Sequence, residues 1–578
     1  MASSVSALWA ETSRTWTSGR WSAELRGDEI ADLAVDGAVV LRSVRAVVRD
    51  RDWDTAALTV DEVIEREGGL TIRVHTRELG ADLSGEVRVD AAGDTVTVAL
   101  DLRAAAGFET NRTGLVVLHP ATLAGAAMRI DHTDGSSEES AFPVRISPHQ
   151  PAFDIEGLSW EGRGGDVALR FHGDVFEMED QRNWTDASYK TYSRPLSLPF
   201  PYRLAEGEAV SQAVTVSVTS GPGESAGPDG DVVMLGDPVT MPLLAVSAST
   251  APDPAPQLPA IPWAATLVEL DLASPTWRAA LDRAAASGRP LDVRFILSDA
   301  DPLLIEPAAA ELAGLDLARV TAFWLTGEAR LVSDTTAIGL VWAALRDAGI
   351  TAFVTGGVRS HFTELNRESH RLPEGLDGVV FSTTPLFHSL GTAQLTEAVA
   401  MQRLVAEQAV EIAGGAAVHI GPISLRPHVN DVATTPPPMS AHDDLRDGYG
   451  PALLDAADPR QDAPELAAWT LASAAALAVP GVATLACFEE WGPRGVFTAD
   501  GSRRPVTDAI EALAALQGRR IVTGSTPDGL VWAIVDLDGG EALIANLDAK
   551  DRNVRVAAAP AVRLGPGRWH RSPARPEA

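Results

Sequence analysis

Three polar clusters in the second half of this chain carry side chains suited to acid–base chemistry. Phe362-Thr-Glu-Leu-Asn-Arg367 offers Glu364 and Asn366, and Thr383-Thr-Pro-Leu-Phe-His388 offers His388. Glu489-Glu-Trp-Gly-Pro-Arg-Gly495 offers Glu489 and Arg494. The pair Glu364 and Glu489 is what a sugar hydrolase needs. One carboxyl serves as general acid and the other as base or nucleophile, provided their surroundings push the two pKa values apart. Asn366, His388 and Arg494 can bind hydroxyls or an oxyanion. Glu490 competes with Glu489, but neighbours on an extended chain point in opposite directions, so one of the two faces a given site. The alternative for each Glu is a solvated loop carboxylate, and for His388 a hydrogen-bonded core position.

The elements that must position these groups alternate between strand and helix. Apolar strands are expected at 266–270, 291–297, 320–325, 351–354, 378–382, 417–420 and 482–488. Helices fall between them, one opening with Ser274 as N-cap and Pro275 at the first position, another with Asp462-Ala-Pro-Glu465. Such repetition predicts a (β/α)8 barrel, with seven strands evident and an eighth expected within 425–460 or irregular. An open doubly wound sheet is the alternative, but no Gly-rich phosphate turn follows the first strand. Barrel enzymes place their sites at the C-terminal strand ends, and the three clusters follow the fourth, fifth and seventh strands of this reading. Glu269 and Asp271, alternating with apolar neighbours on the first, either line the lumen or form a buried ion pair.

Before the barrel, 1–252 reads as an antiparallel β-sandwich domain. Strands are expected at 57–64, 70–77, 95–102 and 210–218, with Thr95-Val-Thr-Val-Ala-Leu-Asp-Leu102 the clearest alternation. The Pro-rich stretch 253–264 reads as a semi-rigid linker to a catalytic barrel at 265–518. Residues 519–578 return to short strands, a small C-terminal β domain. A formal charge of −32 argues against nucleic-acid binding, which needs clustered cations. No apolar run reaches the roughly 18 residues that cross a bilayer. The N-terminus has no basic segment followed by an apolar one, so a cytoplasmic protein is expected. A single cysteine, Cys487, and histidines without metal-ligand spacing predict no metal site and no cofactor. Gly223-Glu-Ser-Ala-Gly227 matches an esterase pattern, but lacks the following helix that a nucleophile elbow requires and reads as loop.

A further polar stretch, 176–192, packs Glu177, Glu179, Asp180, Arg182, Asn183, Asp186 and Lys190 among Trp184, Tyr189 and Tyr192 without a helical or strand period. It reads as a surface for a polar, ring-shaped ligand or as a loop whose charges pair internally. Together with Asn111-Arg-x-Gly114, Val117-Leu-His-Pro120, 362–367, Asp458-Pro-Arg-Gln461, Glu489, Gly492 and Arg494-Gly495, this stretch resembles the D-apionate lactonase family of bacterial sugar catabolism, relatives of the large barrel glycosidase clan. The resemblance implies hydrolysis of a small sugar lactone to its aldonate, with a glycoside hydrolase as the alternative. It places Glu364, Asn366 and Glu489 at the barrel mouth. It also implies that Asp180, Arg182, Asn183 and Lys190 belong to an element of the β domain that packs against the barrel or its site.

Overall fold

The computed structural model describes residues 5–162, 164–220, 231–454, 457–556 and 560–573. The esterase-like string at 223–227 lies outside them. Most strands up to Ala209–Ser220 form one continuous hydrogen-bonded sheet, while Phe108–Thr110 and Tyr202–Leu204 pair apart from it. Its two ends share a core, in which Leu33, Leu41 and Val44 from one half join Val87, Val89 and Val98 from the other. Alternation on Thr95–Ala104 buries Val96, Val98, Leu100 and Leu102 and leaves the intervening residues partly exposed, as a one-sided strand requires.

The barrel has eight parallel strands. In chain order they are Leu243–Ser247, Ala265–Asp271, Leu291–Leu297, Leu317–Trp324, Thr355–Gly357, Gly378–Thr383, Ala417–Ile423 and Val482–Trp491. Each pairs with its sequence neighbour, the first pairs with the eighth, and a parallel bridge from Val320 to Val354 closes the ring. Helices follow every strand but the first, among them Phe362–Glu368 after the fifth and Thr392–Ala413 after the sixth.

Two sequence expectations change here. The first barrel strand is Leu243–Ser247, ahead of the Pro-rich stretch, while the described residues of 425–460 are loop with short 3-10 turns at Gly450–Leu454 and from Pro459. Residues 253–264 are therefore no linker between domains. They cross from the first barrel strand to the second, and Ile261 and Trp263 bury in the barrel core. Proline density forbids a helix there, which is why this crossover alone lacks one. In addition, Val232–Leu235 and Val239–Thr240, expected in the N-terminal domain, pair with Arg520–Ser525 in the C-terminal sheet. That sheet is built from chain on both sides of the barrel. No helix among the described residues is long and apolar enough to cross a membrane.

Candidate active site

The barrel mouth holds a cavity of about 630 Å³. The second strand supplies Glu269 and Asp271, whose inward positions follow from its alternation. Arg359, just past the fifth strand, donates to Glu269 Oε2 through Nε at 3.1 Å and Nη2 at 3.0 Å. Burial pushes the Glu269 carboxyl up, but Arg359 overrides it and holds the pKa below the ordinary value. Asp271 goes the other way, raised chiefly by burial. His428, on the loop after the seventh strand, also lines the cavity, and burial lowers its pKa to about 4. Its Nε2 has no hydrogen-bond partner. The imidazole is thus neutral near pH 7 and has a free ring nitrogen.

The N-terminal domain forms part of this wall. Asp52 and Asp54, on the turn after the strand Ala38–Arg49, line the same cavity. Asp52 accepts from the backbone and hydroxyl of Thr434 at 2.9 and 2.7 Å, and of Thr435 at 2.8 and 2.6 Å. Asn430 Nδ2 donates to the Asp52 carbonyl and to Asp54 Oδ1, both at 3.2 Å. A long mouth loop is thereby tied to the other domain.

Of the residues singled out from the sequence, Glu269 and Asp271 line this cavity, whereas Glu364, Asn366, His388, Glu489, Arg494, Arg182, Asn183 and Lys190 do not. Glu489 is fully buried, and its two oxygens accept from Thr250 N at 3.0 Å, Thr250 Oγ1 at 2.8 Å and Arg494 Nε at 2.7 Å. Arg494 also binds Thr250 Oγ1 and the Pro451 carbonyl. Together they clamp the ends of the first and eighth strands. Glu490 turns away to Arg289, at 2.6 Å.

Glu364 and Asn366 sit on the short helix after the fifth strand; Asn366 faces the N-terminal domain, whereas Glu364 accepts from Ser360 within the barrel. Asn366 Nδ2 donates to Asn183 Oδ1 at 2.9 Å and to the Ile146 carbonyl at 3.1 Å. Asn183 in turn donates to the carbonyls of Ser147 and Asp180. Arg182 forms a buried ion pair with Asp180 at 2.7 Å and caps carbonyls of 143–145. Asn183 and Asn366 join the domains, and Arg182 braces the N-terminal side of that joint.

Beside them lies a buried polar cluster. Lys190 pairs with Glu179 at 2.5 Å, and burial lowers the Lys190 pKa to about 8. His388 Nδ1 meets Asp186 at 2.8 Å, with the imidazole edge-on to Trp184 and Phe387. Burial, reinforced by Lys190, holds His388 neutral. His361 Nδ1 meets Asp431 at 3.0 Å. Burial first, and then Asp431, raise the Glu364 carboxyl well above its ordinary range, so Glu364 keeps its proton and donates it to Asp431.

Sequence alternation pointed to Glu269 and Asp271. No comparable signal marked Arg359, His428, Asp52 or Asp54. They sit in loops, and only the closed ring and the packing of the N-terminal domain against it bring them together.

Comparison with known proteins agrees with this architecture. Residues 2–221 match the family model for the D-apionate lactonase N-terminal domain, and 243–518 the model for the D-apionate lactonase TIM barrel domain. A D-apionate lactonase from Brucella anthropi is 27% identical over 602 aligned positions, covering 95% of each chain. Among solved structures, a GH36 alpha-galactosidase, AgaA, from Geobacillus stearothermophilus covers 97% of this chain and 100% of its own at 12% identity, with a TM-score of 0.26. A galactose mutarotase-like protein from Lactobacillus casei covers 36% of this chain and 99% of its own at 9% identity, also with a TM-score of 0.26. At that score neither structure bears on the argument. The chain belongs to the D-apionate lactonase family.

Proposed function

We propose that this chain hydrolyses a sugar lactone of the D-apionolactone type to its aldonate, in the barrel-mouth cavity. Family membership and the relative aligned over nearly all of both chains support the reaction class. The observation that carries the site is His428: a neutral imidazole with an unpartnered Nε2, bordering the cavity that holds Glu269, Asp271 and Arg359.

The neutral His428 imidazole takes a proton from water as the water oxygen attacks the lactone carbonyl carbon. General-base assistance of this kind contributes about 10²–10⁴-fold. The Arg359 guanidinium, held by Glu269, stabilises the oxyanion of the tetrahedral intermediate, a contribution typically worth about 3 kcal/mol for one donor. Collapse of the intermediate breaks the bond to the ring oxygen. Asp271, the cavity carboxyl whose pKa burial raises, passes a proton to that oxygen, and the ring opens to a hydroxy acid that ionises to the aldonate.

In this reading the carboxylates expected to do the chemistry have positioning roles. Glu489 fixes Thr250 and the rim through Arg494. Glu364, protonated against Asp431, orders the loop that carries His428 and Asn430. The direct test is a pH-stat assay of acid release from D-apionolactone, comparing wild type with His428→Asn and Glu489→Gln. Turnover lost in the first and retained per folded molecule in the second supports this assignment. The reverse pattern returns the chemistry to Glu489, and no turnover by wild type above the spontaneous rate overturns the lactonase reading.

A further inference from the structure

Arg49 and Arg112 occupy directly opposed positions on adjacent antiparallel strands, Ala38–Arg49 and Arg112–Pro120. Both are buried, at 7% and 4% exposure. Like charges facing one another across a strand pair repel, and burial deepens the penalty. Yet neither guanidinium has a carboxylate within ion-pair distance among the described residues, where Lys190 beside them has Glu179 and Arg182 has Asp180. Arg49 donates only to the Trp53 carbonyl, at 3.0 Å. Arg112 makes no side-chain hydrogen bond among the described residues. Its Nε is buried without a partner, and its guanidinium lies 3.7 Å from the Tyr192 ring centroid and 5.1 Å from that of Trp53. Stacking orients such a group without neutralising it. Burial and the facing Arg112 together lower the Arg49 pKa to about 10, so this proximity carries a cost.

We propose that Arg49 and Arg112 form a binding site for a small hydroxycarboxylate, distinct from the mouth cavity, whose lining includes neither. Two planar guanidiniums match a carboxylate's paired oxygens. Glu179 and Asp186 lie within electrostatic reach of this pair and disfavour a second negative charge, which selects a monoanion over phosphate. Unpartnered Trp184 Nε1 and His361 Nε2, in the adjoining polar cluster, supply positions for hydroxyl groups. An aldonate has this composition. Naming an aldonate as the ligand rests on the reaction proposed above, whereas the anion site itself does not.

The test is calorimetric titration of the full chain with D-gluconate and, separately, inorganic phosphate, with thermal melting alongside. Wild type, Arg112→Gln, Arg112→Lys and His428→Asn are compared. The expected result is saturable gluconate binding that raises the wild-type melting temperature and weakens at least tenfold in Arg112→Gln. The Arg112→Lys protein, a folded control with the charge kept, retains part of the affinity. Without ligand, Arg112→Gln melts no lower than wild type, because it relieves the repulsion; a merely structural Arg112 gives the opposite. Binding by His428→Asn equal to wild type separates this site from the hydrolytic one, whatever the turnover assay shows. Equal gluconate affinity in wild type and Arg112→Gln, no gluconate binding by wild type, or phosphate binding as tight as gluconate each overturns the proposal.

Discussion

At the barrel mouth, Glu269, Asp271, Arg359 and His428 border open space, and one ring nitrogen has nothing to bind. At the joint between the N-terminal sheet and the barrel, Asp180, Arg182, Asn183 and Asn366 are the same kinds of residue, but their polar atoms are spent on one another and on backbone carbonyls. Composition does not separate the two regions. Satisfaction does: a carboxylate whose lone pairs are filled holds a structure in place, whereas a buried base with a free nitrogen beside a cavity can accept a proton from a substrate water.

The sharpest way to break this contrast is at His428. Replacing it with Asn is expected to lower kcat/KM by about 10²–10⁴-fold with the melting temperature little changed. The acid limb of the pH profile carries the same signature. His428 must be neutral to act, and with its pKa lowered to about 4, activity is full near neutrality and falls as pH drops through about 4. A limb near pH 6.5 in rate measurements breaks the assignment.

Glu489→Gln is expected to act on stability instead. It leaves buried Arg494 without a counter-charge, a loss that costs about 3–5 kcal/mol in such settings. Urea unfolding reads this, and a variant of unchanged stability but abolished turnover places Glu489 in the chemistry. Arg359→Met removes the oxyanion donor, and single-turnover kinetics should show kcat reduced by about 3 kcal/mol of transition-state stabilisation. The smallest effect belongs to the joint. Asn366→Ala removes hydrogen bonds to Asn183 and Ile146, and chemical denaturation should register about 1 kcal/mol, with kcat near wild type.

The same distinction explains what could be read from the chain alone. Alternation on Thr95–Ala104 and the apolar runs at Leu291–Leu297 and Val482–Trp491 mark strands because side-chain period is a local property. Leu243–Ser247 escaped because it is five residues long and followed by prolines, a local signal of domain ending that closure of the ring overrides. Glu489 lies at a strand end and Glu364 on the short helix that follows one, but sequence does not show whether a carboxylate's oxygens are already taken. Arg494 stands five residues after Glu489 and fills one of those places. His428 comes from a stretch with no period at all. The opposition of Arg49 and Arg112 is invisible until strand register is known.

The pairing of Leu243–Ser247 with Val482–Trp491 bears on how the molecule is made. A ribosome emits the N-terminal sheet whole, up to residue 220, and that unit can fold as it emerges. The first barrel strand then has one partner available early, Ala265–Asp271, while its other edge stays open until the eighth strand leaves the exit tunnel. At typical elongation rates, an interval of this length lasts about 12–50 s. For that time an apolar strand edge stands exposed beside a finished domain, and Val232–Leu235 waits longer still for Arg520–Ser525. Nascent chains stalled before residue 480 should therefore engage chaperones that chains released at full length do not.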